Sequence, residues 1–269
     1  EERFLIALVQ NFQKRAILKS KNESFNQIIF NNFGTEKQKA DKGQFFTPIP
    51  VVKTIIKMLN PIKGEEVCDP CCGIADFPAM AFKHTHRKDE EYPPNASHYF
   101  GFDVEPNNLK LAELNLVLNG DGGTTLKEMD SLFQKLLENG DDVLKYAEFN
   151  EHNYNIDWTH KDNPEKDLKK FKIIATNPPF GKGRDLLITK ENRPTINLYE
   201  TYKKKLDPDK DGKEKLPNTM DNGALFLENA YKLLEDGGRM GIILSNSIAS
   251  IKEWENIRMW LLSKMRIVA

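Results

Sequence analysis

Four consecutive residues, Asn177-Pro178-Pro179-Phe180, combine groups that could hold a planar amine. The two prolines fix the backbone and remove two N–H donors, so the carbonyl groups of this corner have few competing partners. The Asn177 side-chain oxygen and the Pro178 carbonyl could both accept hydrogen bonds from one amino group, and Phe180 offers a face for stacking on a flat ring. The alternative is a rigid turn that only ends a strand. The apolar stretch before Asn177 favours a functional corner at a sheet edge.

A second candidate is the loop from Asp69 to Phe77, which lies between a short apolar stretch and a predicted helix. Glycine in a tight turn between strand and helix, here Gly73, lets backbone N–H groups come close to a ligand. The loop lacks the three glycines of a dinucleotide fingerprint and the lysine of a phosphate loop, so no phosphate site is expected. These residues alone leave open an ordinary turn.

A third candidate is Asp103, which directly follows the apolar stretch from Tyr99 to Phe102. A carboxylate at the end of such a strand can accept both hydroxyls of a ribose. It follows Gly73 by more than the usual distance of about 20 residues, and a polar insert around Pro93 accounts for the excess. The alternative is a solvated carboxylate that binds no ligand.

An alternation of strands and helices is predicted to position these candidates. Strands are expected at 66–69, 98–103, shortly before 130, at 171–176, at 240–244 and at 266–268, with helices at 224–235 and around 254–261 and after each of the first two strands. This alternation is typical of a doubly wound α/β protein, whose mostly parallel sheet carries helices on both faces. Because the carboxyl ends of parallel strands share one edge, all three candidates should open onto it.

The composition is that of a globular protein. The 269 residues are 39% hydrophobic and 29% charged, and the formal net charge is −1, so the chain as a whole does not attract polyanions. No apolar run reaches the roughly 18 residues that span a bilayer, and the chain does not open with a secretory signal. Three cysteines, all between Cys68 and Cys72, cannot form a disulfide framework, which favours a reducing, cytoplasmic setting.

Two regions flank or interrupt this core. Residues 1–42 are predicted to form a small N-terminal helical segment, because apolar residues recur there at helical spacing. Residues 134–170 are charged and are expected to form an irregular surface insertion. Residues 181–219 hold ten Lys and Arg against seven Asp and Glu, together with Tyr199 and Tyr202. This stretch could contact nucleic-acid phosphates, and the alternative is a solvated loop.

Together these motifs resemble those of amino-methyltransferases that use S-adenosylmethionine. More narrowly, the chain resembles the N6-adenine DNA methyltransferases that form the modification (M) subunit of type I restriction-modification systems. Four segments match in the order found in that family, Gly43-Gln44-Phe45-Phe46-Thr47-Pro48, Asp69-Pro70-x-Cys72-Gly73-x-Ala75-x-Phe77, Gly101-x-Asp103 and Asn177-Pro178-Pro179-Phe180. The resemblance implies a Rossmann-like catalytic domain over residues 43–269.

The resemblance also implies a reaction and a set of site residues without a metal. The catalytic residues would be Asn177, Pro178, Pro179 and Phe180, and S-adenosylmethionine would be bound by Gln44, Phe45, Phe46, Thr47, Pro48, Asp69, Cys72, Gly73, Ile74, Ala75, Asp76, Asp103 and Asp130. Asp69 would orient the cofactor's ammonium through backbone or water, Asp103 would hold its ribose, and Asp130 would reach its adenine amine. The methyl group would pass directly to N6 of an adenine flipped out of the duplex and stacked on Phe180.

The partners implied by the resemblance are DNA, a specificity subunit and a restriction (nuclease) subunit, and a second copy of the chain is a further candidate. Two departures from the family stand out. Asp76 occupies a position usually held by a small residue, where it could repel the cofactor's carboxylate or bind its ammonium. Family members also continue beyond the point where this chain ends, so we expect a fragment that is truncated at its C-terminus.

Other functions remain open at this point. Pro70-Cys71 is the dipeptide that cytosine methyltransferases use as a nucleophile, but here it lies inside the cofactor loop. Cys68, Cys71 and Cys72 could be read as metal ligands, although buried structural cysteines fit the spacing better. A methyltransferase acting on protein glutamine or RNA, and a scaffold subunit that binds the cofactor without catalysis, are the two remaining alternatives.

Overall fold

The computed structural model of the chain describes residues 46–86, 98–133, 135–138, 141–142, 148–149, 152–153, 170–179, 185–203, 207–208 and 214–268. The predicted N-terminal helical segment, residues 1–42, lies outside these ranges, as do Gln44, Phe45 and Phe180. The predicted division of the chain at residues 42 and 43 therefore stays a prediction.

Strands of the described part form one large sheet and three small pairs. In chain order they are β1 (Val67–Asp69), β2 (Tyr99–Asp103), β3 (Thr125–Asp130), β4 (Lys135–Glu138), β5 (Asp141–Asp142), β6 (Glu148–Phe149), β7 (His152–Asn153), β8 (Phe171–Thr176), β9 (Asp185–Leu187), β10 (Asp207–Pro208), β11 (Glu214–Lys215), β12 (Thr219–Asp221) and β13 (Leu234–Ile242). The large sheet has the spatial order β13-β8-β1-β2-β3-β4-β5. The strand pairs β6–β7, β9–β12 and β10–β11 are antiparallel.

The large sheet confirms the predicted mostly parallel α/β architecture. The strands from β13 to β3 run parallel, and β4 and β5 are antiparallel to their neighbours. Strand β1 is central, with β2 and β3 on one side and β8 and β13 on the other. The chain order therefore reverses beside β1, and sheets of this kind bind ligands beyond the carboxyl ends of the strands at such a reversal.

Helices cover both faces of the sheet. They are α1 (Ile49–Leu59), α2 (Asp76–Thr85), α3 (Pro106–Leu118), α4 (Arg193–Ile196), α5 (Glu200–Lys203), α6 (Asn222–Lys232), α7 (Asn246–Ser250), a 3₁₀ turn (Lys252–Trp254) and α8 (Glu255–Lys264). Ile173 and Ala175 of β8 pack in one cluster with α1 and α2, whereas Ile174 packs in another with α6. Because successive side chains of a strand point to opposite faces, β8 must be apolar on both.

Helix α1 matters for the site because Phe46 and Thr47 directly precede it. Gly241 of β13 allows the helix to lie close to the sheet, since a Cβ atom there would come within 2.5 Å of Ile55 Cγ2. At the other end of the helix, Arg239 donates to the Leu59 carbonyl at 2.7 Å and to the Glu65 carboxylate at 2.5 Å. The first contact attaches the C-terminal end of α1 to β13, and the second attaches the loop that follows α1 to the same strand.

Several local predictions were wrong. Tyr199 and Tyr202 do not contact nucleic acid, because both are fully buried and donate to the carbonyls of Leu132 and Pro217 at 2.7 and 2.8 Å. Where residues 181–219 are described, they form α4, α5, β9, β10, β11 and the start of β12 instead of one solvated loop. Residues 266–268 form no strand in the described part of the chain.

Two further segments differ in extent from the prediction. Strand β13 begins at Leu234, six residues before its predicted start, and part of the expected irregular insertion continues the sheet as β4 and β5. No helix within the described ranges is long and apolar enough to cross a bilayer.

Candidate active site

The carboxyl ends of three neighbouring parallel strands form the candidate site. Asp69 ends β1, Asp103 ends β2, and Asn177 directly follows β8. In the sheet β1 pairs with both β2 and β8, so these three ends lie side by side at one edge. The expectation that the three sequence motifs open onto one edge is confirmed.

An open cleft of about 340 Å³ lies at this edge. That volume includes space that is open to solvent. Its walls contain eight predicted residues, Phe46, Thr47, Asp69, Cys72, Gly73, Ile74, Asp76 and Asn177, together with Cys71 and Phe77, which the prediction did not include. Pro48, Ala75, Asp103, Asp130, Pro178 and Pro179 lie at the same strand and helix ends but do not line the cleft.

Asn177 is held by a contact across the sequence. Its Nδ2 atom donates to Thr47 Oγ1 at 2.9 Å, and Thr47 is only 8% exposed. Its Oδ1 atom is buried and has no hydrogen-bond partner in the described part of the chain. Leaving a buried acceptor without a donor costs about 1–3 kcal/mol. An acceptor of this kind, in the wall of a cleft, is suited to an N–H group that a ligand supplies.

Asp69 forms the base of the cleft and is 2% exposed. Its Oδ1 atom accepts from Thr176 Oγ1 at 2.6 Å and from the Cys71 backbone N–H at 3.1 Å. Burial is the largest influence on this group and raises the pKa of the Asp69 carboxyl from its usual 3.8 to about 7, helped by the nearby carboxylates of Asp103 and Asp76. Asp69 is therefore costly to keep ionised without a cationic ligand.

The cost of ionising Asp69 leads to a prediction for the ligand-free chain. The folded state binds the Asp69 proton more tightly than the unfolded state, so this stabilising contribution is complete below about pH 4 and is lost as the pH rises through about 7. The loss is about 1.4 kcal/mol for each pH unit between the two pKa values. We therefore expect Asp69→Asn to be more stable than the wild type at about pH 8, and this advantage to shrink on acidification.

Urea unfolding of both proteins at several pH values measures this effect. The comparison between variant and wild type cancels the titration of the carboxylates that do not interact with Asp69. A difference in free energy of unfolding that does not change between about pH 5 and pH 8 would contradict the elevated pKa.

The loop after β1 is shaped by two residues with left-handed backbone angles. Gly73 has φ +55° and Ala75 has φ 61°. The Gly73 N–H donates to Asp103 Oδ2 at 2.9 Å, while Asp103 Oδ1 accepts from the Glu105 N–H at 2.9 Å and from Asn108 Nδ2 at 3.1 Å. Burial raises the pKa of Asp103, and these three donors oppose that rise. Asp103 thus fixes the loop as well as ending β2.

Asp76, the departure from the family pattern, lies in the first turn of α2 and is 5% exposed. Its Oδ1 atom accepts from Asn115 Nδ2 at 3.1 Å, and the same Asn115 amide donates to the Ile74 carbonyl at 2.9 Å. The N-terminal turn of a helix favours a negative charge. The carboxylate at this position is thus held by α3 and by its own helix.

Asp130, at the end of β3, accepts from the backbone N–H groups of Leu132 and Phe133 at 3.1 and 3.4 Å. The neighbouring Ser131 donates to the Pro70 carbonyl at 2.5 Å and connects β3 with the loop after β1. The Oδ1 atom of Asp130 therefore stabilises the turn that directly follows β3.

The thiols of this region are not arranged for nucleophilic chemistry. Burial raises the pKa of Cys71 and of Cys72 well above the usual range, so both remain protonated near neutral pH, and a thiol is a much weaker nucleophile than a thiolate. Cys72 instead packs against Gly101, where a Cβ atom would lie 3.0 Å from its sulfur. Among the described residues, no group of three or more His, Cys, Asp or Glu side chains could hold a metal ion.

Comparison with known proteins identifies relatives over most of the chain. The model of the N-6 DNA methylase family matches residues 24–269. The chain is 24% identical over 219 residues to the methylase subunit of the type I restriction enzyme EcoKI of Escherichia coli strain K12, which covers 78% of this chain and 32% of that subunit. It is also 24% identical over 231 residues to the type II methyltransferase M.VspI of Vibrio sp. strain 343, covering 86% of this chain and 43% of that enzyme.

The fold has relatives of known structure. The modification subunit of a proposed type I restriction enzyme from Vibrio vulnificus YJ016 superposes with a TM-score of 0.58 at 21% identity, over 89% of this chain and 42% of that chain. The chain thus spans less than half the length of these relatives. Since the family model matches most of the chain, the chain belongs to the N-6 DNA methylase family, and its mostly parallel sheet has the Rossmann-like fold of S-adenosylmethionine-dependent methyltransferases.

Proposed function

We propose that this chain is the catalytic core of a site-specific DNA methyltransferase that methylates the N6 amine of adenine, within the modification subunit of a type I restriction-modification system. One observation carries the proposal: the buried Asn177 Oδ1 atom has no donor among the described residues and belongs to a residue in the wall of the cleft. The exocyclic amine of adenine supplies such a donor. The family match supports the choice of adenine N6 as the substrate atom.

The chain's own groups account for the orientation of the amine. Asn177 Oδ1 and the Pro178 carbonyl would each accept one N6 hydrogen, so the nitrogen lone pair points away from both acceptors. Their partial negative charges would offset the positive charge that develops on nitrogen during transfer. An asparagine amide is not a strong base, so the proton would leave to water after the methyl group has been transferred. Thr47 determines which polar atom of the Asn177 amide is available to the substrate. It accepts from Nδ2, so Oδ1 would accept from the substrate amine.

The cleft fits a cationic nucleoside. The carboxylates of Asp69 and Asp76 lie in its walls, Asp103 lies at the adjoining strand end, and the rings of Phe46 and Phe77 provide apolar surface. When bound, S-adenosylmethionine supplies the methyl group. Asp69 would hold its ammonium, Asp103 its ribose hydroxyls and Asp130 its adenine amine.

The remaining predicted residues would complete the two binding sites. Phe46, Thr47 and Pro48 would border the methionine end of the cofactor, and Gly73 would let the backbone pass close to it. Stacking of the flipped base on Phe180, and contacts from Gln44 and Phe45, remain predictions for residues outside the described part of the chain.

DNA is the proposed macromolecular substrate, and the near-neutral charge suggests that part of the DNA affinity comes from partners. The relatives of the chain include methylase subunits of type I restriction enzymes. We therefore propose a specificity subunit and a restriction subunit as partners, with a second copy of the chain as a further candidate. The activity would take place in the cytoplasm, where the DNA lies.

Sequencing of methylated bases tests the proposed function. The full-length chain is co-expressed with its specificity subunit in a host that lacks other adenine methylation, and the host's DNA is sequenced for modified bases. We expect N6-methyladenine at one recurring sequence. In parallel, purified complex is incubated with tritiated S-adenosylmethionine and DNA, RNA or protein. Label in protein or RNA alone, or no binding of the cofactor in a calorimetric titration, would overturn the proposal.

A further inference from the structure

Thr176 is the last residue of β8 and directly precedes Asn177. It is fully buried, and its carbonyl accepts from the Ile243 N–H at 3.0 Å. Its hydroxyl points to the other neighbour and donates to Asp69 Oδ1 at 2.6 Å. One residue therefore connects the strand that carries the catalytic corner to the base of the cofactor cleft.

This hydrogen bond lies where the backbone pairing of the two strands has stopped. The paired positions of β1 and β8 are Val67 with Ile173 and Cys68 with Ile174. Thr176 and Asp69 lie beyond the last pair, at the opening of the cleft. Beyond the last backbone pair, the hydrogen bond between the Thr176 and Asp69 side chains connects the ends of the two strands.

A third group extends the contact. Cys71 Sγ lies 3.0 Å from Thr176 Oγ1. Since the single hydroxyl proton of Thr176 is donated to Asp69, the thiol must be the donor in its contact with the hydroxyl. Burial keeps that thiol protonated by raising its pKa well above the usual range. The thiol, hydroxyl and carboxylate form a chain of hydrogen bonds, and such chains strengthen each member.

We propose that Thr176 is a positioning residue for S-adenosylmethionine binding, in which its hydroxyl, supported by the Cys71 thiol, holds the Asp69 carboxylate toward the cofactor's ammonium and joins cofactor binding to the Asn177 corner. The inference rests on the proposed function, because it takes Asp69 to be the ammonium ligand. It differs from the family motifs in assigning a role to the residue before Asn177.

The charged groups around Asp69 determine the sign of the expected effect. Asp103 from β2 and Asp76 from α2 oppose its ionisation, as does burial, whereas the Thr176 hydroxyl and the Cys71 N–H favour it. The thiols of Cys68, Cys71 and Cys72 are the other titratable groups nearby. Removing the hydroxyl shifts this balance toward the protonated carboxyl, which cannot pair with an ammonium. Cofactor binding should then require a higher pH.

The test compares Thr176→Val, which keeps the shape of the side chain, with Thr176→Ser, which keeps the hydroxyl. Affinity of the full-length chain for S-adenosylmethionine is measured by calorimetry from about pH 6 to pH 9. We expect the valine variant to bind roughly tenfold more weakly near neutral pH, as is typical for loss of a hydrogen bond to a charged group. Its pH of half-maximal affinity should rise by about one unit, and the serine variant should match the wild type in both.

The results distinguish a failure of the proposed function from a failure of the role proposed for Thr176. No cofactor binding by the wild type would overturn the proposed function itself. Binding by the wild type with an unchanged pH profile in Thr176→Val would overturn only the role of Thr176, and an equal shift in the serine variant would do the same. A purely structural role would lower the unfolding temperature without moving the pH profile. If the valine variant does not fold, Cys71→Ala decides, because it should move the profile in the same direction by a smaller amount.

Discussion

Replacement of Asn177 by alanine is expected to reduce methyl transfer to DNA by roughly 10²–10³-fold, the range seen when a preorganised polar group of an active site is removed. The affinity for S-adenosylmethionine should remain nearly unchanged. The reason is positional, because the proposed cofactor ligands belong to other segments of the chain, whereas Asn177 Oδ1 is a buried acceptor of the cleft with no partner among the described residues. Single-turnover rates with tritiated cofactor, together with calorimetric cofactor affinities, measure the two effects separately.

Thr47→Val is the matched variant for this experiment. It removes the contact that orients the Asn177 amide but leaves the amide itself in place. We expect a loss of transfer rate of roughly tenfold, the equivalent of one hydrogen bond, and therefore smaller than the loss in Asn177→Ala. If Asn177→Ala weakened cofactor binding and methyl transfer by the same factor, Asn177 would be a cofactor ligand and its assigned role would be wrong.

The second large effect is on stability and involves the buried pair Glu228 and Lys232. Glu228 is 0% exposed, and its carboxylate accepts from the Glu200 and Thr201 N–H groups at 2.8 and 2.7 Å. Lys232 Nζ lies 3.1 Å from Glu228 Oε1 and donates to the Leu198 carbonyl at 3.3 Å. Together these contacts attach the start of α5 to α6.

We expect Glu228→Ala to lower the free energy of unfolding by about 3–5 kcal/mol, because it leaves a buried ammonium without its counter-charge and the Glu200 and Thr201 N–H groups without their acceptor. Urea denaturation of the full-length chain measures this change. Glu113→Ala, an exposed change in the middle of α3, is the control and should alter stability by less than about 0.5 kcal/mol.

The double variant Glu228→Ala/Lys232→Met examines the cause. Because it removes both charges, it should be less destabilised than the sum of its two single changes. A Glu228→Ala variant as stable as the control would show that the buried pair does not hold α5 and α6 together.

The amino-acid sequence alone was sufficient to predict the α/β architecture and the sheet edge at which the candidate site lies. Strand β8 is apolar on both faces, so it could only be a buried strand with helices on either side. Parallel strands with helical connections place their carboxyl ends at one edge of the sheet. The sequence therefore predicted that Asp69, Asp103 and Asn177 lie at the same edge. Such patterns depend on residues that are close together in the chain, and for this reason they can be recognised from the sequence.

Tertiary structure decided what each polar atom does. Tyr199 and Tyr202 lie in a charged stretch that suggested a surface, yet they are fully buried because elements distant in sequence cover them. The contact of Thr47 with Asn177 spans 130 positions, and that of Asp69 with Thr176 spans 107. Nothing in the spacing of residues indicates such pairs. The sequence by itself therefore determined which groups meet at the edge of the sheet. Only the packing of α1 and β8 against β1 decided that Asn177 Nδ2 contacts Thr47, that Asn177 Oδ1 has no partner among the described residues, and that the Thr176 hydroxyl donates to Asp69. Hydrogen bonds depend on distances that chain order does not specify.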